Sequence, residues 1–79
     1  MEQDDIKRNS MVFYRSFFEA LQELPKESQA NLYNAIFQYS FNYKDVELSG
    51  IDKTVFMLIK PQLEANRIKF ENGKKGRAH

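Results

Sequence analysis

Residues 51–72 read IDKTVFMLIKPQLEANRIKFEN. Val55, Ile59, Leu63, Asn66 and Phe70 recur at spacings of three and four, and Phe56 and Leu58 widen this stripe at its start, so the segment is expected to form an amphipathic helix. Pro61 lies inside the run. It lacks the N–H that would bond to the Met57 carbonyl, which predicts a kink, but the stripe keeps its phase on both sides and the helix should continue. Ser49 with Asp52 three residues later resembles a capping pair at the start, and Gly73 is suited to the stop at the end.

Working back from this helix, residues 43–50 (YKDVELSG) lose the helical period and form a turn. Before them, Leu32, Tyr33, Ile36, Phe37 and Ser40, with Ala30 and Ala35 as small neighbours, predict a helix over 26–42. Pro25 suits its entry, where a missing N–H costs nothing. Leu24 precedes that proline and is therefore disfavoured in the helical region, which ends the helix before it. That first helix is predicted over about residues 11–24 from Phe13, Phe17 and Leu21 with Tyr14, Phe18 and Leu24, capped by Asn9 or Ser10. The expected fold is all-α, with three main helices over about 11–24, 26–42 and 51–72, the third long and kinked at Pro61. Residues 1–9 read as a flexible arm, 10–73 as one domain and 74–79 as a basic tail.

Length then carries an inference about partners. At about 1.5 Å per residue the three helices span roughly 21, 26 and 33 Å, so the third outruns the other two. Its stripe beyond Pro61 needs cover, and a second copy of the chain can supply it, which makes Leu63, Asn66 and Phe70 candidate dimer contacts. Asn66 is the polar member of that stripe, as when a buried Asn fixes the register of paired helices. The competing arrangement folds the segment back over the first helix and leaves a monomer. A core in a chain below about 80 residues rarely supplies more than roughly 3–5 kcal/mol, which favours the homodimer.

Composition narrows the function. With no Cys, disulfide frameworks, zinc ribbons and thiol nucleophiles are excluded together. The apolar runs are short and the first ten residues polar, so neither a membrane span nor a signal peptide is expected, and the cytoplasm is the expected compartment. The one His is the terminal His79, which nothing can orient as base or metal ligand. Glu19, Glu23 and Glu27 are spaced as a solvated helical face, with no second cluster to complete a cation cage, and no phosphate-cradling glycine motif occurs. No catalytic, metal or cofactor residue is expected, and the reading is not an enzyme. Tyr39 and Tyr43 lie four apart, and Phe41, Val46 and Leu48 are available to cover the loop or meet a partner. The net charge of +1 hides a split: residues 1–59 hold 6 basic and 9 acidic side chains, residues 60–79 hold 6 basic and 2 acidic. Glu64 and Glu71 offset Lys60 and Arg67 at helical spacing. The candidate nucleic-acid contacts are thus Arg67, Lys69, Lys74, Lys75 and Arg77. The third helix opens on Ile51, Asp52, Lys53 and Thr54, a poor set for reading base edges.

Several of these elements together resemble a known family. Phe13-Tyr14, Leu32-Tyr33-Asn34-Ala35-Ile36, Ile59-Lys60-Pro61-Gln62, Ala65-Asn66 and Glu71-Asn72-Gly73, spread over about residues 10–77, are similar to a family of uncharacterised helical domains from bacteria and phages or prophages. The resemblance implies a small helical module of bacterial or prophage setting, often at the front of longer proteins and sometimes near phage replication functions. It carries no catalytic residue over. Similar chains continue past this element into a Gly-Gly-Arg-Pro-type basic extension, where this one reads Gly76-Arg77-Ala78-His79. The expected function is a non-catalytic interaction or oligomerisation module, with a homodimer, another protein or a further C-terminal domain as partner. The alternative is an accessory nucleic-acid binder of phage replication that uses the basic end.

Overall fold

The computed structural model describes residues 8–76, with side chains through residue 73. Three helices follow in order: α1 (Arg15–Gln22), α2 (Lys26–Asn42) and α3 (Gly50–Gly76). All three come from the periodic segments above. The bounds of α2 are those its sequence signals predict, while α1 is shorter and α3 longer.

Residues 11–14 lie ahead of α1, where the spacing of their aromatics predicted helix. Tyr14 is the N-cap in an extended conformation (φ −83°, ψ 145°), and neither Asn9 nor Ser10 caps anything. Tertiary contacts outweigh local propensity here. Phe13 sits among Phe17, Tyr33 and Phe37 with ring centroids 5.9–6.0 Å away. Tyr14 reaches α3, donating its hydroxyl hydrogen to Asn66 Oδ1 at 3.3 Å and accepting from Gln62 Nε2 at 3.4 Å. A helix starting at residue 11 would break this extended path over α3.

The link between α1 and α2 is a tight turn in which the Leu24 N–H donates to the Leu21 carbonyl at 3.0 Å. Gln29 Nε2 donates to the Leu24 carbonyl at 2.8 Å, which satisfies an orphan acceptor where Pro25 offers no donor. α2 ends at Tyr43, in the left-handed region (φ 56°) that glycine would occupy without strain. Val46 and Leu48 fold back against the core. α3 then starts at Gly50 (φ 62°). The expected Ser49–Asp52 capping pair does not take that form: the Asp52 carboxylate accepts from Asn31 Nδ2 at 3.0 Å and fastens the first turn of α3 to α2.

Leu21 of α1, Leu32, Ala35, Ile36 and Tyr39 of α2, and Phe56, Ile59 and Leu63 of α3 form the core. α3 passes unbroken through Pro61. The proline lies on the solvent side, so water can satisfy the Met57 carbonyl it leaves without a donor. Gly73 does not stop the helix, which runs on to Gly76. A glycine stop needs a left-handed residue and an apolar contact from the chain beyond, and the following Lys74-Lys75-Gly76 offers no apolar group. At 27 residues α3 is about 40 Å long. The molecule accordingly measures 46 × 24 × 17 Å.

Candidate functional site on the third helix

The inward side of α3 carries the titratable network. Lys60 Nζ lies 3.1 Å from Asp45 Oδ1 and 5.3 Å from the centre of the Tyr39 ring. One turn on, Glu64 accepts the Tyr39 hydroxyl hydrogen. Arg67 stacks over Tyr43, with its guanidinium carbon 4.4 Å from the ring centre, and its Nε donates to Glu71 at 3.3 Å. Burial and the Glu64 carboxylate raise the Tyr39 pKa; burial and the charge of Glu71 raise that of Tyr43. Tyr39 and Glu71 hold Arg67 more firmly protonated than usual. This ladder ties the left-handed end of α2 and the following loop onto α3. Among the described residues no group of three or more His, Asp or Glu could hold a metal.

The candidate dimer contacts turn out to face the chain's own body. Leu63 is 2% exposed in the core, which corrects the expectation that the stripe beyond Pro61 lacks cover. Asn66 receives Tyr14, and the Arg8 guanidinium lies 5.0 Å from the Phe70 ring centre. The extended residues 8–14 lie over this stretch. Of the candidate nucleic-acid contacts, Arg67 belongs to the ladder and Lys69 is exposed. Lys74 and Lys75 fall in the last turn of α3, where only the backbone is described, and Arg77 lies outside the described residues. Glu19 pairs with Arg15 at 3.2 Å, and because α1 ends at Gln22 the three glutamates do not share a helix.

Two open clefts flank α3. One, of about 280 Å³, lies beside the loop at Val46 and Leu48 with Phe56 and Met57 as its apolar wall. The other, of about 330 Å³, is bounded by Arg8, Tyr14, Asn66, Lys69 and Phe70. The second presents Arg8 Nε and Asn66 Nδ2 as donors without hydrogen-bond partners among the described residues.

The outward side of α3 is the feature that sequence reasoning missed. Ile51 is 56% exposed, Leu58 78% and Ile68 50%, with Met57 at 61% beside them. Thr54, Pro61, Ala65 and Asn72 are exposed as well. Together they form a second row, 51-54-58-61-65-68-72, at alternating spacings of three and four. Leu58, which widened the inward stripe in the sequence reading, belongs to this outer row. The signal was present, but the small or weakly apolar residues at 54, 61, 65 and 72 hid it behind the stronger inward stripe.

No helix among the described residues is long and apolar enough to cross a membrane. Neither a curated protein nor a solved structure is found that matches the chain. A family model does match residues 10–79, the whole helical domain just described, and on that extent the chain belongs to the family of unknown function DUF6291.

Proposed function

We propose that this domain is a non-catalytic helical interaction module that self-associates through the outward face of α3, in the cytoplasm of a bacterial or phage-derived setting. One observation carries the reading: three large aliphatic side chains, Ile51, Leu58 and Ile68, stand half or more exposed on one side of a single helix. Scattered apolar residues on a surface need no explanation, but a contiguous row rimmed by charge is the mark of an interface. Fully burying each such side chain is worth about 1.5–3 kcal/mol, and a symmetric pairing buries the set twice. That gain works against a loss of translational and rotational freedom of roughly 4–15 kcal/mol, so the association is expected to be reversible and concentration-dependent. The small core adds support, since a domain of this size often draws stability from assembly.

Sedimentation equilibrium tests this directly. The chain is expected to dimerise at micromolar to high micromolar concentration, and Leu58→Glu to remain monomeric with unchanged helical circular dichroism. A native chain that sediments as a monomer throughout that range overturns the reading.

A further inference from the structure

Resting on that reading, we infer that the two copies pair in parallel and in register, with α3 beside α3 and like residues facing like. The outer row repeats every seven residues. Ile51, Leu58, Ala65 and Asn72 fall seven apart, and so do Thr54, Pro61 and Ile68, so the row is a seam of three heptads. The residues flanking a seam decide its direction. On one side of this one lie Met57, Glu64 and Glu71; on the other, Val55, Gln62 and Lys69.

In a parallel pair the first flank of each helix meets the second flank of its neighbour, five residues further along. Glu64 then stands opposite Lys69 of the second copy, and symmetry makes the same pair twice. Glu64 is suited to this, because the Tyr39 hydroxyl occupies only its Oε1. In an antiparallel pair like flanks meet. Placing Leu58 against Ile68 of the other chain sets Glu64 against Glu64 and leaves Lys69 beside Val55. Opposite charges are thus brought together only in the parallel arrangement, and like charges only in the antiparallel one.

Asn72 points the same way. It occupies a seam position, where a lone Asn pairs best with the same Asn across a parallel, in-register interface and so fixes register at a cost in stability. Ala65 and Thr54 are small enough for close approach between the helices. Among the described residues the core contacts of α3, through Phe56, Ile59 and Leu63, lie on the side opposite the seam, which leaves the seam open to a second copy. The arrangement also sets the C-terminal ends of both α3 helices, with Lys74 and Lys75 in their last turn, at one end of the assembly.

The chain contains no Cys, so single replacements report orientation cleanly. Thr54→Cys is expected to cross-link to itself under mild oxidation, since a disulfide needs Cα atoms within about 7 Å. In the antiparallel pair, residue 54 faces residue 72 of the other copy, and the two residues 54 are about 27 Å apart. Lys69→Glu is expected to weaken the dimer about tenfold, because it sets a carboxylate against Glu64 in both of the symmetric pairs. If the native chain dimerises but Thr54→Cys links only when mixed with Asn72→Cys, the parallel register is wrong and self-association stands. A native chain that stays monomeric overturns both.

Discussion

The two sides of α3 are built from the same residue types and do opposite things. Leu63 and Leu58 are both leucines in one helix five residues apart, yet one is 2% exposed and the other 78%. The inward side is finished within the chain: its apolar residues meet α1, α2 and the extended residues 8–14, and its charges are matched by Asp45, Tyr39 and Tyr43. The outward side has large apolar groups with no cover from the described residues. Periodicity alone finds apolar faces; which face is filled from within depends on how many other elements the chain possesses. A three-helix chain whose longest helix is 27 residues has enough of them to cover one side of it.

The sharpest way to break this contrast is to shorten each leucine. Leu63→Ala opens a cavity in the core and is expected to cost about 2–5 kcal/mol. Since a single core in a chain this short rarely supplies more than roughly 3–5 kcal/mol, the variant is expected to be largely unfolded, as urea denaturation followed by circular dichroism would show. Leu58→Ala should change the stability of the isolated monomer by less than about 0.5 kcal/mol, measured at concentrations too low for association. Equal losses at the two positions would mean that the outer row contributes to the fold of the monomer itself.

Much of the fold was legible in the sequence, though unevenly. The ends of α2 follow from Pro25 and from the loss of period at residue 43, both local signals. The beginning of α1 does not, because what holds residues 11–14 extended is the docking of Phe13 among Tyr33 and Phe37 and the reach of Tyr14 to Asn66, across 52 residues of sequence. That same docking explains why Leu63, Asn66 and Phe70 looked in need of a second chain: the segment that lies over them read as part of a helix. The sequence likewise pairs Arg67 with Glu71 at helical spacing, but its stacking on Tyr43 depends on the left-handed end of α2.

The charge ladder gives a smaller test of how far the inward side is closed. Arg67→Ala removes the contact with the Tyr43 ring and the bond to Glu71, and because these groups are partly exposed the loss is expected at about 1 kcal/mol. Alkaline titration probes the same ladder. Tyr39 and Tyr43 are raised above 10.0 in the folded chain, so their unfolded forms lose protons first. Their contribution is fully present below pH 10 and is lost as pH rises through the folded values. Tyr39→Phe should flatten part of this alkaline decline in urea midpoint, and a profile unchanged by the substitution would remove Tyr39 from the ladder.

The smallest effect is expected at the other end of α3, where Asp52 joins it to α2. The Ser28 hydroxyl and the Asn31 amide hold its carboxyl below the ordinary value of 3.8, and burial opposes them only weakly. The unfolded chain therefore binds a proton at Asp52 before the folded chain does. The stabilisation is complete above pH 3.8 and fades as pH falls through the lower folded value. Asn31→Ala removes the donor seen at 3.0 Å and should bring the folded value up toward 3.8, narrowing the acid window without moving the alkaline one. Nuclear magnetic resonance titration of the Asp52 carboxyl measures this directly. Leu58→Ala, on the outer row and in no bond of the ladder, should leave both the acid and the alkaline limbs of the monomer where they are. If it shifted either limb, the two faces of α3 would be coupled, and the outer row could not be treated as a surface independent of the fold beneath it.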